Sequence, residues 1–136
     1  MIILGVMKKN PVVHFEMPYK NAKRVGEFYS KAFGWGMMDA GAQMGNYVVA
    51  TTTDTDDKRM VKTPGAINGG FYPSKQSKYQ EPSVVISVDD IKASMKMVKK
   101  AGGKILGKPM DIPTVGTFVS FVDTEGNRVS ILQPSK

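Results

Sequence analysis

The sequence predicts an α+β fold made of two tandem βαβββ modules, and three observations carry that prediction. A strand, a capped helix and a glycine stop occur twice in the same order. The offset is constant, because His14 to Ser83 and Gly34 to Gly103 are each 69 residues apart. Each glycine stop is followed by three further strand segments. A chain of 136 residues with 41% hydrophobic and 23% charged residues has the composition of a globular domain. Such a domain buries roughly 65–70% of its unfolded surface without needing a disulfide or a structural metal.

The first strand is read from Val12-Val13-His14-Phe15-Glu16-Met17. Alternation puts Val12, His14 and Glu16 on one face and the apolar Val13, Phe15 and Met17 on the other. Pro18 is expected to end it. Asn21 is a usable cap, and Val25, Phe28, Tyr29, Ala32 and Phe33 follow the spacing of an amphipathic helix that Gly34 closes. Extended segments are expected over Trp35 to Asp39, Asn46 to Thr52 and Ala66 to Tyr72. In the last of these, Ile67, Gly69 and Phe71 should face the helix, and Ala66, Asn68, Gly70 and Tyr72 the opposite side.

The polar stretch Thr53 to Pro64 reads as a loop. Its Asp54, Asp56 and Asp57 lack the glycine and distant glutamate of a calcium loop. The second module opens with a strand over Ser83 to Val88 in which Val84, Ile86 and Val88 pack on the helix and Ser83, Val85 and Ser87 oppose them. Asp89 or Asp90 caps the helix, Ile91, Met95 and Val98 form its apolar face, and Gly102-Gly103 stops it. Strands over Lys104 to Asp111, Val115 to Asp123 and Asn127 to Gln133 complete the module, the last two joined by the turn Thr124-Glu125-Gly126.

Nineteen basic and twelve acidic residues give a formal charge of +7. Lys92, Lys96, Lys99, Lys100, Lys104 and Lys108 fall on or just after the second helix without interleaved aromatics, so a solvated face is expected and no specific nucleic-acid partner. There are no cysteines, which removes disulfides, thiolate ligands and thiol nucleophiles and suits a cytoplasmic protein. The short apolar start followed by lysines is the reverse of a signal peptide and too short to span a bilayer. Residues 1–10 are read as an N-terminal extension, with Met1 or Met7 as alternative starts, and residues 11–134 as a single domain with modules at about 11–75 and 81–134.

The segments His14-Phe15-Glu16-Met17-Pro18, Glu27-Phe28-Tyr29 to Phe33-Gly34-Trp35, Ile67-Asn68-Gly69-Gly70, Val88-Asp89-Asp90, Asp123-Thr124-Glu125-Gly126-Asn127 and Ile131-Leu132-Gln133-Pro134 carry a resemblance by their order and spacing. The chain resembles the vicinal oxygen chelate superfamily of glyoxalase I, bleomycin-resistance proteins and extradiol dioxygenases. Within it the chain is most similar to a glyoxalase-related branch of mostly unassigned activity. The resemblance implies an open, curled mixed β-sheet cleft with helices on the outside, a homodimer, and a divalent metal held by four inward side chains.

By that resemblance His14 aligns with the first ligand, Asn68 or Gly70 with the second, Ser83 with the third and Ser130 with the last. Serine and asparagine bring no charge and little donor strength towards zinc, nickel or iron. The expectation is therefore a cleft without cofactor or complete metal site, binding a small organic molecule. Its lining would be Tyr47, Asn68, Gly70, Tyr72, Ser83, Arg128 and Ser130, with His14 and Glu16 as the catalytic candidates. The alternative is a lyase, isomerase or dioxygenase-like enzyme with His14 as general base or residual metal ligand. A lone strand histidine such as His14 is more often a hydrogen-bonded wall residue than a catalyst. Met37, Met38 and Met44 are read as core, and Trp35 as a packing residue between module halves.

Overall fold

The computed structural model describes residues 8–136, so the choice between Met1 and Met7 and most of the expected extension lie outside the described residues. The described chain divides into two compact units, Val13–Val84 and Val85–Lys136, the second joined by residues 8–12. Each is a βαβββ unit with one helix and a four-stranded mixed sheet, and the fold is α+β.

The first unit comprises β1 (Val12–Tyr19), α1 (Ala22–Phe33), β2 (Gly36–Asp39), β3 (Val48–Thr51) and β4 (Asn68–Pro73), in the sheet order β2-β3-β4-β1. β1 runs parallel to β4, and the other pairs are antiparallel. Asn21 caps α1 by accepting the Arg24 N–H. Gly34 ends it in the left-handed conformation at φ 72°, a backbone state that costs glycine least. Alternation along β1 sends Phe15 and Met17 into a core of Val48, Ala50 and Phe71, which Val25 and Tyr29 of α1 cover. Full burial of a side chain such as Phe71 contributes about 1.5–3 kcal/mol.

Four expectations change here. Pro18 does not end β1, which runs on to Tyr19 and pairs Pro18 with Tyr72 of β4, because proline's fixed φ is compatible with extended backbone near a strand end. Phe28 and Phe33 are 56% and 64% exposed instead of lying on the core stripe. Successive helical residues are about 100° apart, so Phe28 falls outside the narrow stripe that holds Val25 and Tyr29. Met37 packs on the core, whereas Met38, pointing to the other face of β2, is 61% exposed and Met44 is 37% exposed. Trp35 stacks on Tyr29 at 4.7 Å and 13° and lies beside Phe15 at 5.6 Å, an aromatic cluster within the first unit.

The second unit repeats the plan with β5 (Ser83–Ser87), whose first two residues still belong to the first unit, α2 (Ile91–Lys100), β6 (Lys104–Ile112), β7 (Gly116–Val122) and β8 (Arg128–Pro134), in the order β5-β8-β7-β6. Again the first strand is parallel to the last and the rest are antiparallel. Asp90 is the cap, accepting the Ala93 N–H. The positive φ at the end of α2 belongs to Gly102, while the Gly103 N–H returns to the Val98 carbonyl. Val88, Ile91, Val119 and Ile131 form the core with Ile86 and Met95 packed against it. Val84 does not join that core: it stands 36% exposed at the start of β5, ahead of the helix's reach. Lys8 pairs with Asp89 at 2.9 Å, and the Ser87 N–H donates to the Pro11 carbonyl, which ties the N-terminal residues to this unit.

Candidate functional site

The parallel register of β1 and β4 sets His14 opposite Asn68 and Glu16 opposite Gly70. Tyr47 immediately precedes β3, at the close of a turn in which the Ala40 N–H donates to the Tyr47 carbonyl and Asn46 takes φ 58°. Its ring lies over Gly70, where any Cβ would overlap it. A glycine is thus the residue that lets the phenol reach across β4 to β1.

The Tyr47 hydroxyl donates to Glu16 Oε2 at 2.9 Å and lies 3.4 Å from His14 Nε2. The phenol has one proton and gives it to Glu16, so its oxygen is left to accept from an Nε2–H of His14, in a longer and weaker contact. That tautomer leaves Nδ1 with its lone pair. Burial holds the His14 pKa below its ordinary 6.5, keeping the imidazole neutral at pH 7. Burial, followed by the charge of Glu16 and the hydrogen bond to it, raises the Tyr47 pKa and keeps the phenol protonated. The arrangement is a neutral imidazole, a phenol and a carboxylate in a line, a chain that can hydrogen-bond a polar ligand and pass a proton along itself.

Of the residues expected to share the site, the structure brings His14, Glu16, Tyr47 and Gly70 together. Asn68 is committed to the backbone that follows β3: its Oδ1 accepts the N–H groups of Thr52 at 2.7 Å and Thr53 at 3.0 Å, anchoring that loop. The buried Tyr72 gives its hydroxyl to the Tyr79 carbonyl at 3.0 Å. In the second unit Arg128 opens β8 opposite Val122, and Ser130 is fully buried with its Oγ 2.8 Å from Ser120 Oγ across the β7–β8 pair. Ser83 is buried at the start of β5 and lines an apolar hollow with Phe15, Met17 and Trp35. The bridging by Tyr47 was not evident from the sequence, although the paired glycines Gly69-Gly70 inside a strand are the signal of a close approach. The aspartate-rich loop closes on itself, with Asp56 Oδ1 accepting the N–H groups of Lys58 and Met60.

Two βαβββ units, each one helix and a four-stranded mixed sheet, define the class of fold. The model of the Glyoxalase/Bleomycin resistance protein/Dioxygenase superfamily matches residues 12–131, and the chain belongs to this superfamily. A glyoxylase-like domain-containing protein of Didymella fabae is 33% identical over 124 residues, 85% of this chain and 88% of that protein. A glyoxylase-named protein of Mycobacterium bovis is 38% identical over 52 residues, which are 38% of this chain and 20% of that one. In structure the chain is similar to Streptomyces coelicolor methylmalonyl-CoA epimerase in complex with 2-nitronate-propionyl-CoA. The TM-score is 0.67 at 13% identity, covering 92% of this chain and 97% of that one, a likeness of fold.

The divalent metal that the superfamily implies does not fit the residues at these positions. His14 Nε2 faces the Tyr47 hydroxyl, Asn68 Oδ1 is used by two backbone donors, Gly70 has no side chain and Ser130 is bonded to Ser120. Among the described residues no three His, Cys, Asp or Glu side chains gather as a metal-binding group. Also among the described residues, no helix is long and apolar enough to cross a membrane.

Proposed function

We propose that the protein binds a small organic molecule on the His14 face of its first module, using His14, Tyr47 and Glu16 as its polar contacts and without the complete family metal site. The observation that carries this reading is the Tyr47 hydroxyl tying together His14 and Glu16, two groups that neighbour each other on one face of β1. A neutral imidazole and a protonated phenol offer one lone pair and directed hydrogen bonds, which suits a carbonyl, enol or hydroxyl group better than a strongly charged ligand. The homodimer and the cytoplasmic location belong to the same reading.

The test combines metal stoichiometry with a fragment screen. After incubation with zinc, nickel, iron(II) or manganese and exhaustive desalting, less than a tenth of an equivalent of metal per chain is the expected outcome. Small carbonyl and hydroxy compounds should then shift the His14 ring resonances saturably, and Tyr47→Phe should weaken that binding. Stoichiometric metal lost in His14→Ala, or a screen in which no compound moves His14, overturns the reading.

The line from His14 through Tyr47 to Glu16 also favours a second reading, an acid–base enzyme in which His14 abstracts a proton and the phenol relays charge to the carboxylate. It requires that His14→Ala abolish turnover of an identified substrate while leaving the melting temperature nearly unchanged.

A further inference from the structure

We infer that Tyr19 and Gln76 are positioning residues of the His14 site: they grip two successive backbone carbonyls of the turn before β3 and so aim Tyr47 at Glu16 and His14. Their role in binding rests on the reading above, in which these three side chains receive the ligand.

The turn ends in two left-handed residues. Gly45 stands at φ 66° and Asn46 at φ 58°, immediately before Tyr47. Glycine takes that conformation freely and asparagine tolerates it, so the helical turn Ala42–Met44 can reverse into β3 here. Within the turn, the N–H groups of Gly45, Asn46 and Tyr47 donate to the carbonyls of Ala42, Gly41 and Met44. The carbonyls of Gly45 and Asn46 are taken from outside it. Gln76 Nε2 donates to the first at 2.9 Å, and the Tyr19 hydroxyl donates to the second at 2.8 Å.

The two donors belong to neighbouring strand ends. Tyr19 is the last residue of β1 and pairs with Pro73, the last of β4, and Gln76 closes the short turn Ser74–Gln76 that follows it. The turn is therefore fastened to the same two strands that carry Glu16 and Gly70. Both bonds lie at exposed positions, where water competes for the same groups, so they contribute little to stability. What they fix is the direction of two peptide groups beside Tyr47, and a small rotation there is magnified along the tyrosine side chain. The hydroxyl tolerates little of it, because its bond to Glu16 Oε2 is made at 2.9 Å and hydrogen bonds weaken steeply when misdirected.

The Tyr47 ring lies against Gly70, so ring-current shifts of the Gly70 Hα resonances report where the ring is without any ligand. Tyr47→Leu removes the ring and defines those resonances in its absence. Tyr19→Phe and Gln76→Leu, each keeping its fold by circular dichroism, should move them part of the way to that position, and the double variant further. In a Tyr47→Leu background the same two substitutions should leave Gly70 unchanged, whereas a general loosening of β1 and β4 would move it with or without the ring. With hydroxyacetone as the probe, the double variant should bind roughly three- to ten-fold more weakly than the wild type, the value of one directed hydrogen bond no longer held in place. Placed on a Tyr47→Phe background, it should bind no more weakly than Tyr47→Phe alone. Gly70 resonances that stay at their wild-type positions in the double variant, or that move equally in the Tyr47→Leu background, overturn the inference. If Gly70 moves as expected while the wild type fails to bind hydroxyacetone, the positioning of Tyr47 stands and the result counts against the ligand reading instead.

Discussion

Gly70 lies directly beneath the Tyr47 ring, and a Cβ added to it would overlap that ring. The absence of a side chain at one residue of β4 is therefore what allows the phenol to reach Glu16 on β1. Gly70→Ala should tilt Tyr47 away and break its bond to Glu16. The obstruction is the outer end of a side chain that can move, so the expected loss is modest, about 1–2 kcal/mol of unfolding free energy. Ligand binding at His14 should weaken in the same variant. Urea unfolding and the His14 resonances check this, and an unchanged His14 environment would mean that Tyr47 does not depend on Gly70.

Tyr47→Phe isolates the hydroxyl from the ring. The ring still covers Gly70, but Glu16 loses a donor at 2.9 Å in a half-buried setting. A cost of about 1–3 kcal/mol is expected, the range for losing a hydrogen bond to a charged group. Burial is the cause of the lowered His14 pKa, so that pKa should stay below 6.5 in the variant. NMR titration decides it: a return to 6.5 would assign the shift to the phenol instead of to burial.

Much of this was legible in the sequence, and the residues show where legibility stopped. The face assignment of His14 and Glu16 against Phe15 and Met17 needs only the two-residue period of a strand, and it holds. The repeat is equally plain, since α1 begins at Ala22 and α2 at Ile91 with the same spacing as the two glycine stops. The Tyr47 bridge was not legible, because it depends on how β3 registers against β4, where Val49 faces Gly70 across a connection that includes the whole Thr53 to Pro64 loop. Helical spacing overstated the core role of Phe28 and Phe33, since periodicity marks a stripe without showing how wide a strip the sheet covers. The committed partners of Asn68 and Ser130 are side-chain choices that no pattern in one sequence announces.

The buried, neutral His14 makes stability depend on pH in a definite direction. Its pKa is lower in the folded protein than the ordinary 6.5 of the unfolded chain, so below that value the unfolded state binds more protons. Its contribution is complete above about pH 7 and declines as the pH falls through 6.5 towards the folded pKa. Urea midpoints at pH 7.5 and pH 5.5 should therefore differ more in the wild type than in His14→Gln. Equal differences in the two proteins would show that His14 is not held neutral by burial.

Gly116 gives the sharpest contrast with Gly70, because its obstruction is backbone. It opens β7 at φ 147°, and an added Cβ would run into the carbonyl of Gln133 and the backbone of Pro134 on the paired strand β8. Backbone held in a ladder cannot swing aside as the Tyr47 ring can, and this φ is itself unfavourable to any residue with a side chain. Gly116→Ala should cost about 2–4 kcal/mol, more than Gly70→Ala, and should do so without touching the His14 site. Gly107 is the control: its φ is 75°, nothing lies within 4 Å of an added Cβ, and Gly107→Ala should cost only about 1 kcal/mol of backbone strain. Thermal or urea unfolding of the three variants tests the order, and a Gly116→Ala protein as stable as Gly107→Ala would show that the β7–β8 ladder can open at its end to make room.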